Sequence, residues 1–131
     1  MTPLPPWMRR TLFVTAAMNI LAAAAFLPSA ARVRAIAGFP EGDHPFYLVT
    51  VSMFVLIFGL AYLWAAAAGR AERFFIAAAA AGKLSFFTLL VGFWAAGALP
   101  TRAPVAGTAD LVFAIVFSIW LFSTPHEQPI D

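Results

Sequence analysis

The chain contains no cysteine in its 131 residues, and only 11% of them are charged. Without cysteine there is no disulfide framework, thiolate nucleophile, zinc ribbon or thiolate-ligated cluster. Soluble domains carry roughly 25% charged residues. The few basic residues are scattered and form no stripe of the kind that binds nucleic acid. These absences exclude a disulfide-rich secreted protein and leave no basis for a nucleic-acid partner.

Apolar sequence is what the chain has in excess, with 63% hydrophobic residues and a mean hydropathy of +0.88. Each of four apolar stretches approaches or exceeds the ~18 residues that indicate a membrane-spanning helix. These predicted spans are 11–28, 46–68, 74–99 and 105–124. The alternating pattern of a membrane barrel is missing. We therefore predict an all-α, four-transmembrane-helix bundle with antiparallel neighbours, formed by residues 1–131 as one integral membrane domain.

The ten residues before the first stretch include Trp7, Arg9 and Arg10, which are typical of an interfacial anchor. An alternative is a secretory signal peptide, with the arginines as its charged region, 11–27 as its core and 29–31 as its cleavage site. The core of about 17 residues is long for a signal, which favours the membrane span.

A short interfacial helix is predicted after the first span. Ser29 is a suitable cap for it, Gly38 a suitable end, and Arg32 and Arg34 are expected to project from it. The turn-rich stretch 39–45 then leads into the second span, with Asp43 or His44 before Pro45 as its start.

Orientation follows from the basic residues that flank the spans. With the N-terminus inside, four arginines are cytoplasmic (Arg9, Arg10, Arg70, Arg73) and three are outside (Arg32, Arg34, Arg102). Trp7, Trp64 and Trp120 then lie near one interface. We predict that both termini are cytoplasmic.

Lys83 is the only lysine, and it lies inside the third stretch. A lysine at the centre of a spanning helix costs roughly 2.5–3.5 kcal/mol, so such a residue is a candidate functional site. At 1.5 Å per residue, Asn19, Tyr62, Lys83 and Ser118 all lie about 9–13 Å from the cytoplasmic end of their helices. We predict that Lys83 faces the interior, where the Asn19 amide oxygen and the Tyr62 hydroxyl accept its hydrogen bonds.

Asp110 is the tempting partner for Lys83, but the same arithmetic places it about 21 Å deep, beyond reach. Because it follows Thr108 in the first turn of the fourth span, we expect it to act on the helix dipole. A direct Lys83–Asp110 pair requires a shifted or tilted fourth helix. The face of Lys83 is predicted to include Phe87, Leu90 and Trp94.

The polar residues also have ordinary structural roles. Asn19 is a typical helix–helix hydrogen-bonding residue, Tyr62 suits an interface, and Ser118 suits a bond to its own backbone. His44 and His126 do not make a metal site. The chain has no phosphate loop, nucleophile elbow or HExxH motif, so we predict no catalytic, cofactor-binding or metal residues. The candidate polar site is Lys83, Asn19, Tyr62, Ser118 and Asp110.

Short motifs in all four spans carry a resemblance. Asn19, the stretch 59–62 (GLAY), Gly82-Lys83 and the stretch 110–113 (DLVF) together resemble small, functionally uncharacterised four-helix bacterial membrane proteins, loosely DoxX-like. The resemblance implies a four-helix plan and a bacterial plasma-membrane location, and it implies no activity.

Two function classes follow. The first is a non-enzymatic accessory or oligomer-forming membrane protein, in which the Lys83 layer sets helix register, with the bilayer and a homo-oligomer or membrane complex as partners. The second is binding or transport of a small lipophilic or anionic molecule at that layer. Enzymatic use of Lys83 is a distant third.

Overall fold

The computed structural model describes residues 1–42 and 44–125, and most of them are helical. The helices are α1 (Pro6–Ala25), α2 (Ala31–Ala37), α3 (Pro45–Ala68), α4 (Arg73–Ala95), α5 (Arg102–Ala106) and α6 (Thr108–Ser123). A 3₁₀ turn, Pro28–Ala30, precedes α2, and the strands β1 (Thr2–Pro3) and β2 (Arg70–Ala71) pair antiparallel. The all-α class is confirmed, whereas Asp43 and residues 126–131, which include His126, lie outside the described residues.

Local chemistry explains where the helices begin and end. His44 caps α3, because its Nδ1 accepts the Phe46 N–H at 3.1 Å, as predicted. Glycines in the left-handed region end α2 at Gly38 (φ 84°) and α3 at Gly69 (φ 69°). The third predicted span stops early, at Ala95. Residues 102–106 form the separate helix α5, and the helix of the fourth span begins at Thr108, which agrees with the predicted place of Asp110 in its first turn. Ser29 makes no capping bond.

Two helices, α3 and α4, are each long and apolar enough to cross a bilayer. The helical segments 6–25 and 28–37 meet that criterion only together, and the chain bends by 89° between them. Helix α6 is apolar but has 16 residues, or about 24 Å. By length and composition, the described residues therefore hold two candidate spans, or three with the bent pair, where the sequence predicted four.

The four longer helices pack in two antiparallel pairs, α1 with α3 and α4 with α6. Arg9 bonds the end of α3 at Ala66, and Ser52 near the start of α3 bonds Ala23 near the end of α1. The pair α4–α6 has the same antiparallel register, with Arg73 at Leu121. Consecutive helices α3 and α4 meet mainly through rings, such as Phe58 and Phe75 at 6.0 Å.

The core lies at the end of the molecule that holds the N-terminus. Its largest fully buried side chains include Trp120, Tyr62, Phe117 and Met8. Trp120 lies near the predicted end of α6, but its ring is buried in the core instead of exposed at the surface, and the Arg73 guanidinium carbon lies 5.8 Å from the ring centroid. The outer surface is apolar, with Phe122 91% and Phe74 86% exposed, as suits contact with lipid.

Candidate intramembrane polar site

Lys83 lies in the middle of α4 and points inward, as predicted. Its residue is only 8% exposed. The Nζ atom donates to Asp110 Oδ1 at 2.8 Å and to Asn19 Oδ1 at 3.1 Å. Lys83 therefore joins α4 to α6 and to α1 at one point.

Asn19 links this centre to α3. Its Oδ1 accepts from Lys83, while its Nδ2 donates to the Val55 carbonyl at 3.1 Å. A lysine only donates and a carbonyl only accepts, so this pair of neighbours determines the amide orientation. The expectation that Asn19 bonds between helices is supported, and the same amide also binds the lysine.

Two aromatic rings complete the surroundings of the ammonium. Lys83 Nζ lies 5.6 Å from the ring centroid of Tyr62 and 5.3 Å from that of Phe113, within the range of cation–π attraction. Tyr62 is in the predicted layer, but it presents its ring to Lys83, and the predicted hydrogen bond to its hydroxyl is not among the bonds of the described residues.

The expectation that Asp110 lies beyond the reach of Lys83 is wrong. Counting residues from the helix ends assumed that all ends lie in one plane. The start of α6 instead lies deep against α4, since a Cβ at Gly107 would meet the side chains of Leu90 and Phe87. Asp110 is therefore only about one turn above Lys83, or roughly 6 Å, which a lysine side chain spans.

Ser118, a predicted member of the site, and Trp94, predicted on the same face as Lys83, are both placed elsewhere. Ser118 donates to the Ala114 carbonyl of its own helix at 2.7 Å and lines a groove on the outer side of α4 and α6. Trp94 is 43% exposed, and its Nε1 donates to Thr101 Oγ1 at 3.2 Å. Leu90 is buried and Phe87 half-buried, as expected for the inner face.

Arg34 is a buried charge that the sequence did not predict. It was expected to project from α2, but it is 2% exposed. Its guanidinium donates to both oxygens of Glu41, at 3.3 and 3.2 Å, and to the carbonyls of Ala25 and Leu27. It thereby satisfies the backbone where the chain turns between α1 and α2. Glu41, seven residues after Arg34, was the feature of the sequence from which this ion pair could have been predicted.

A cavity of about 290 Å³ between α3 and α4 reaches the Lys83 centre. Its polar members are Asn19, Tyr62, Lys83 and Asp110, and the remaining lining is apolar. The apolar members are Ala22, Phe26, Val51, Phe54, Val55, Phe58, Ala78, Ala79, Gly82 and Phe86. A second cavity of about 140 Å³ lies between α1 and α6 and shares Asn19, Lys83 and Asp110. The centre therefore lies between two cavities.

The chemistry of the site is that of a neutral ion pair in an apolar setting. Lysine has three donors, and two of them are used by Asp110 and Asn19. Asp110 is paired through Oδ1, and Oδ2 accepts no bond from any described residue. The pair thus presents one further donor and one further acceptor. Within the described ranges, no three metal-binding side chains cluster.

Comparison with family models, curated proteins and solved structures finds no match to this chain.

Proposed function

We propose that this protein is a four-span membrane protein that binds a small, neutral, lipophilic molecule with a hydrogen-bonding head in the cavity between α3 and α4. The observation that carries the proposal is the Lys83–Asp110 pair at the wall of an otherwise apolar cavity of about 290 Å³. We place it in the bacterial plasma membrane with both termini cytoplasmic, in line with the resemblance and with the arginine distribution.

The charge of the centre selects the class of ligand. Asp110 neutralises Lys83 at 2.8 Å, so an anion would meet an adjacent carboxylate as well as the ammonium. A neutral head with a carbonyl or hydroxyl group suits the pair better, because a carbonyl takes the remaining donor of Lys83 and a hydroxyl can donate to Asp110 Oδ2. The ring of Phe58 and the apolar walls would hold its hydrocarbon part.

The size of the cavity supports a small ligand. Ligand pockets commonly measure about 300–1,000 Å³ and combine apolar walls with few polar groups. The cavity is at the lower end of that range, so it fits a ring or a short chain. A compound of the quinone type, which carries carbonyl groups on an apolar ring, meets these requirements.

The first test is chemical. Protein purified in mild detergent is extracted with organic solvent, and the extract is compared by mass spectrometry with that of the Gly82→Leu variant. Nothing lies within 4 Å of a Cβ placed at Gly82, which lines the cavity. A Cβ there meets no neighbour, so we expect the leucine side chain to occupy part of the cavity and the bound compound to be lost.

Gly92→Leu is the matched control. Gly92 lies on the same helix, is also open to a Cβ, and is exposed away from the cavity. Titration of a short-chain ubiquinone analogue into nanodisc-embedded protein gives the second measurement. Saturable binding by wild type and by Gly92→Leu, but not by Gly82→Leu, supports the proposal. Equal uptake by all three proteins, or no specific compound and no binding, would contradict it.

A second candidate function is that of an accessory or oligomer-forming protein. It is favoured by a long groove of about 760 Å³ on the outer side of α4 and α6, lined by small residues including Ala77, Ala81 and Ser118. Small residues let membrane helices approach closely. Cross-linking in native membranes would distinguish it, since a monomer without partners argues against this role.

A further inference from the structure

The two antiparallel helix pairs repeat the same contacts at equivalent positions. Asn19 and Lys83 are 64 residues apart, and the same offset relates Arg9 to Arg73 and three further positions of α1 and α4. These are Leu12 and Ile76, Thr15 and Ala79, and Ala16 and Ala80, all buried. The inner face of α1 therefore recurs on α4.

A second constant offset relates α3 to α6. It pairs Val55 with Asp110 and three positions that are buried on both helices, Gly59 with Ala114, Tyr62 with Phe117, and Ala65 with Trp120. Residues related by these two offsets also make equivalent contacts. Arg9 donates to the Ala66 carbonyl and Arg73 to that of Leu121, which is the equivalent position.

The equivalence extends to ring contacts and to the close approach of each pair. Phe58 and Tyr62 have centroids 6.2 Å apart, and the equivalent Phe113 and Phe117 are 6.4 Å apart. Ser52 donates to the Ala23 carbonyl. At the equivalent place, Gly107 lies against Phe87.

Equivalent residues also contact each other across the centre. Tyr62 and Phe117 have ring centroids 5.8 Å apart, and Lys83 bonds Asn19 directly. Such self-pairing is the property of a two-fold arrangement, in which a residue near the axis meets its own counterpart. Both halves begin at the same end of the molecule, because β1, which precedes α1, pairs with β2, which precedes α4, so the axis runs parallel to the helices.

The two cavities are counterparts in this arrangement. The α3–α4 cavity is lined by Gly82, Phe86 and Phe54, and the α1–α6 cavity by the equivalent Met18, Ala22 and Ala109. The second cavity has a larger residue at Met18 and smaller ones at Ala22 and Ala109, and Phe39 and Arg34 also line it. The α3–α4 cavity is the larger of the two, and it is the one lined by Gly82, where a Cβ would meet no neighbour.

At the centre of this repeat the two halves differ in charge. In the first half, Asn19 donates to the Val55 carbonyl, which is a neutral bond to backbone. In the second half, Lys83 at the position of Asn19 bonds the Asp110 carboxylate, at the position of Val55. Helices α1 and α3 are therefore joined at this layer by an amide–carbonyl bond where α4 and α6 are joined by an ion pair, and the first half supplies the neutral residues with which to replace that pair.

We infer that the chain is two copies of one helix–short helix–helix unit related by a two-fold pseudo-axis, and that the Lys83–Asp110 pair is a ligand-recognition element of the second copy and is not required by the scaffold. The ligand role rests on the proposed function. The dispensability of the pair for folding follows from the repeat alone.

The test replaces two residues of the second half by those at the equivalent positions of the first half. The double variant Lys83→Asn with Asp110→Val places an amide opposite a backbone carbonyl, as at Asn19 and Val55. We expect its thermal midpoint in detergent to shift by less than about 4 °C. The single variant Asp110→Val leaves the ammonium without its carboxylate, and its midpoint should fall well below that of the double variant.

Probe binding is the second measurement. In nanodiscs, the Kd for the short-chain ubiquinone analogue should rise at least about tenfold in the double variant, as expected for a lost hydrogen bond to a charged group. A double variant as unstable as Asp110→Val would overturn the repeat inference. A stable double variant that binds the probe as wild type does would overturn the recognition role. Absence of binding by wild type would remove the proposed function while the stability result stands.

Discussion

Lys83 shows how one side chain joins several helices at a single point. An ammonium facing lipid would have no partner, so its depth in the third stretch predicts that it turns inward. The identity of its acidic partner depends on where α6 begins along α4. Asp110 reaches Lys83 because the start of α6 packs against Leu90. The amide of Asn19 was predictable as an acceptor from residue chemistry, since it lies at similar depth.

Removing the carboxylate should cost more than removing the ammonium. In Asp110→Asn the Lys83 charge remains, on a side chain 9% exposed, and loss of one partner of a buried pair costs about 3–5 kcal/mol. In Lys83→Met the remaining charge is on Asp110, whose side chain is 27% exposed and better hydrated. Unfolding in mixed micelles with increasing SDS measures both free energies. A cost below about 1 kcal/mol for Asp110→Asn would show that Asp110 acts mainly on the helix dipole.

The double variant Lys83→Met with Asp110→Asn removes both charges. We expect its free energy of unfolding to exceed that of Asp110→Asn, because no uncompensated charge remains. The double-mutant cycle gives the coupling energy of the pair. Ser85→Ala is the control, because Ser85 is exposed on the same helix and bonds only the Ala81 carbonyl. A coupling energy near zero would mean that the two charges act independently.

At the scale of the helices, one arginine in each antiparallel pair bonds the end of the partner helix. Arg73 donates to the Thr124 carbonyl at 3.0 Å and the Leu121 carbonyl at 2.6 Å. Arg9 does the same for Ala66 and Ala67 at the end of α3. The last carbonyls of a helix have no partner within it and carry the negative end of its dipole, so a guanidinium there is favourable.

Arg73→Gln should therefore destabilise the protein by about 1–3 kcal/mol, the range for hydrogen bonds to charged groups. Arg10→Gln is the matched control, because Arg10 is exposed and makes no hydrogen bond to a described residue. Hydrogen exchange adds a local measurement, in which the last turn of α6 should lose protection in Arg73→Gln. Equal behaviour of the two variants would show that the bonds of Arg73 contribute little.

At the scale of the whole molecule, the four longer helices differ in their suitability as membrane spans. Helices α3 and α4 qualify as spans alone, α1 qualifies only with the bent segment after it, and α6 is short. A two-fold axis along the helices gives both halves the same direction, so α1 and α4 would start on the same side. The arginine bias is the basis for the proposal that this side is cytoplasmic.

Single cysteines report the topology directly, because the chain has none of its own. With a cytoplasmic N-terminus, Gly42→Cys should react with an impermeant maleimide in intact cells. Glu72→Cys, in the turn between α3 and α4, should react only after permeabilisation. Both positions are exposed, so accessibility to reagent is not limiting. The reverse pattern would invert the orientation.

The sequence by itself determined the class of the protein and several local features. Long apolar runs and few charges predict helices of the kind that cross a bilayer, in which the backbone bonds within the segment, and the all-α class is confirmed. The His44 cap, the Gly38 and Gly69 helix ends and the inward Lys83 follow from local chemistry and from the cost of burying charge. Arg9 and Asn19 have the same spacing in the sequence as Arg73 and Lys83, which reflects the inferred repeat. Short identical motifs do not reveal that repeat.

Only the tertiary structure decided which polar groups meet. The Lys83–Asp110 pair, the burial of Arg34 and the position of Ser118 outside the layer depend on the relative shift and tilt of whole helices. Counting residues along one helix gives depth to within a few turns, whereas a hydrogen bond needs agreement within a fraction of an ångström. That agreement comes from packing between elements, here the close contact of Gly107 with Leu90, which no single segment encodes.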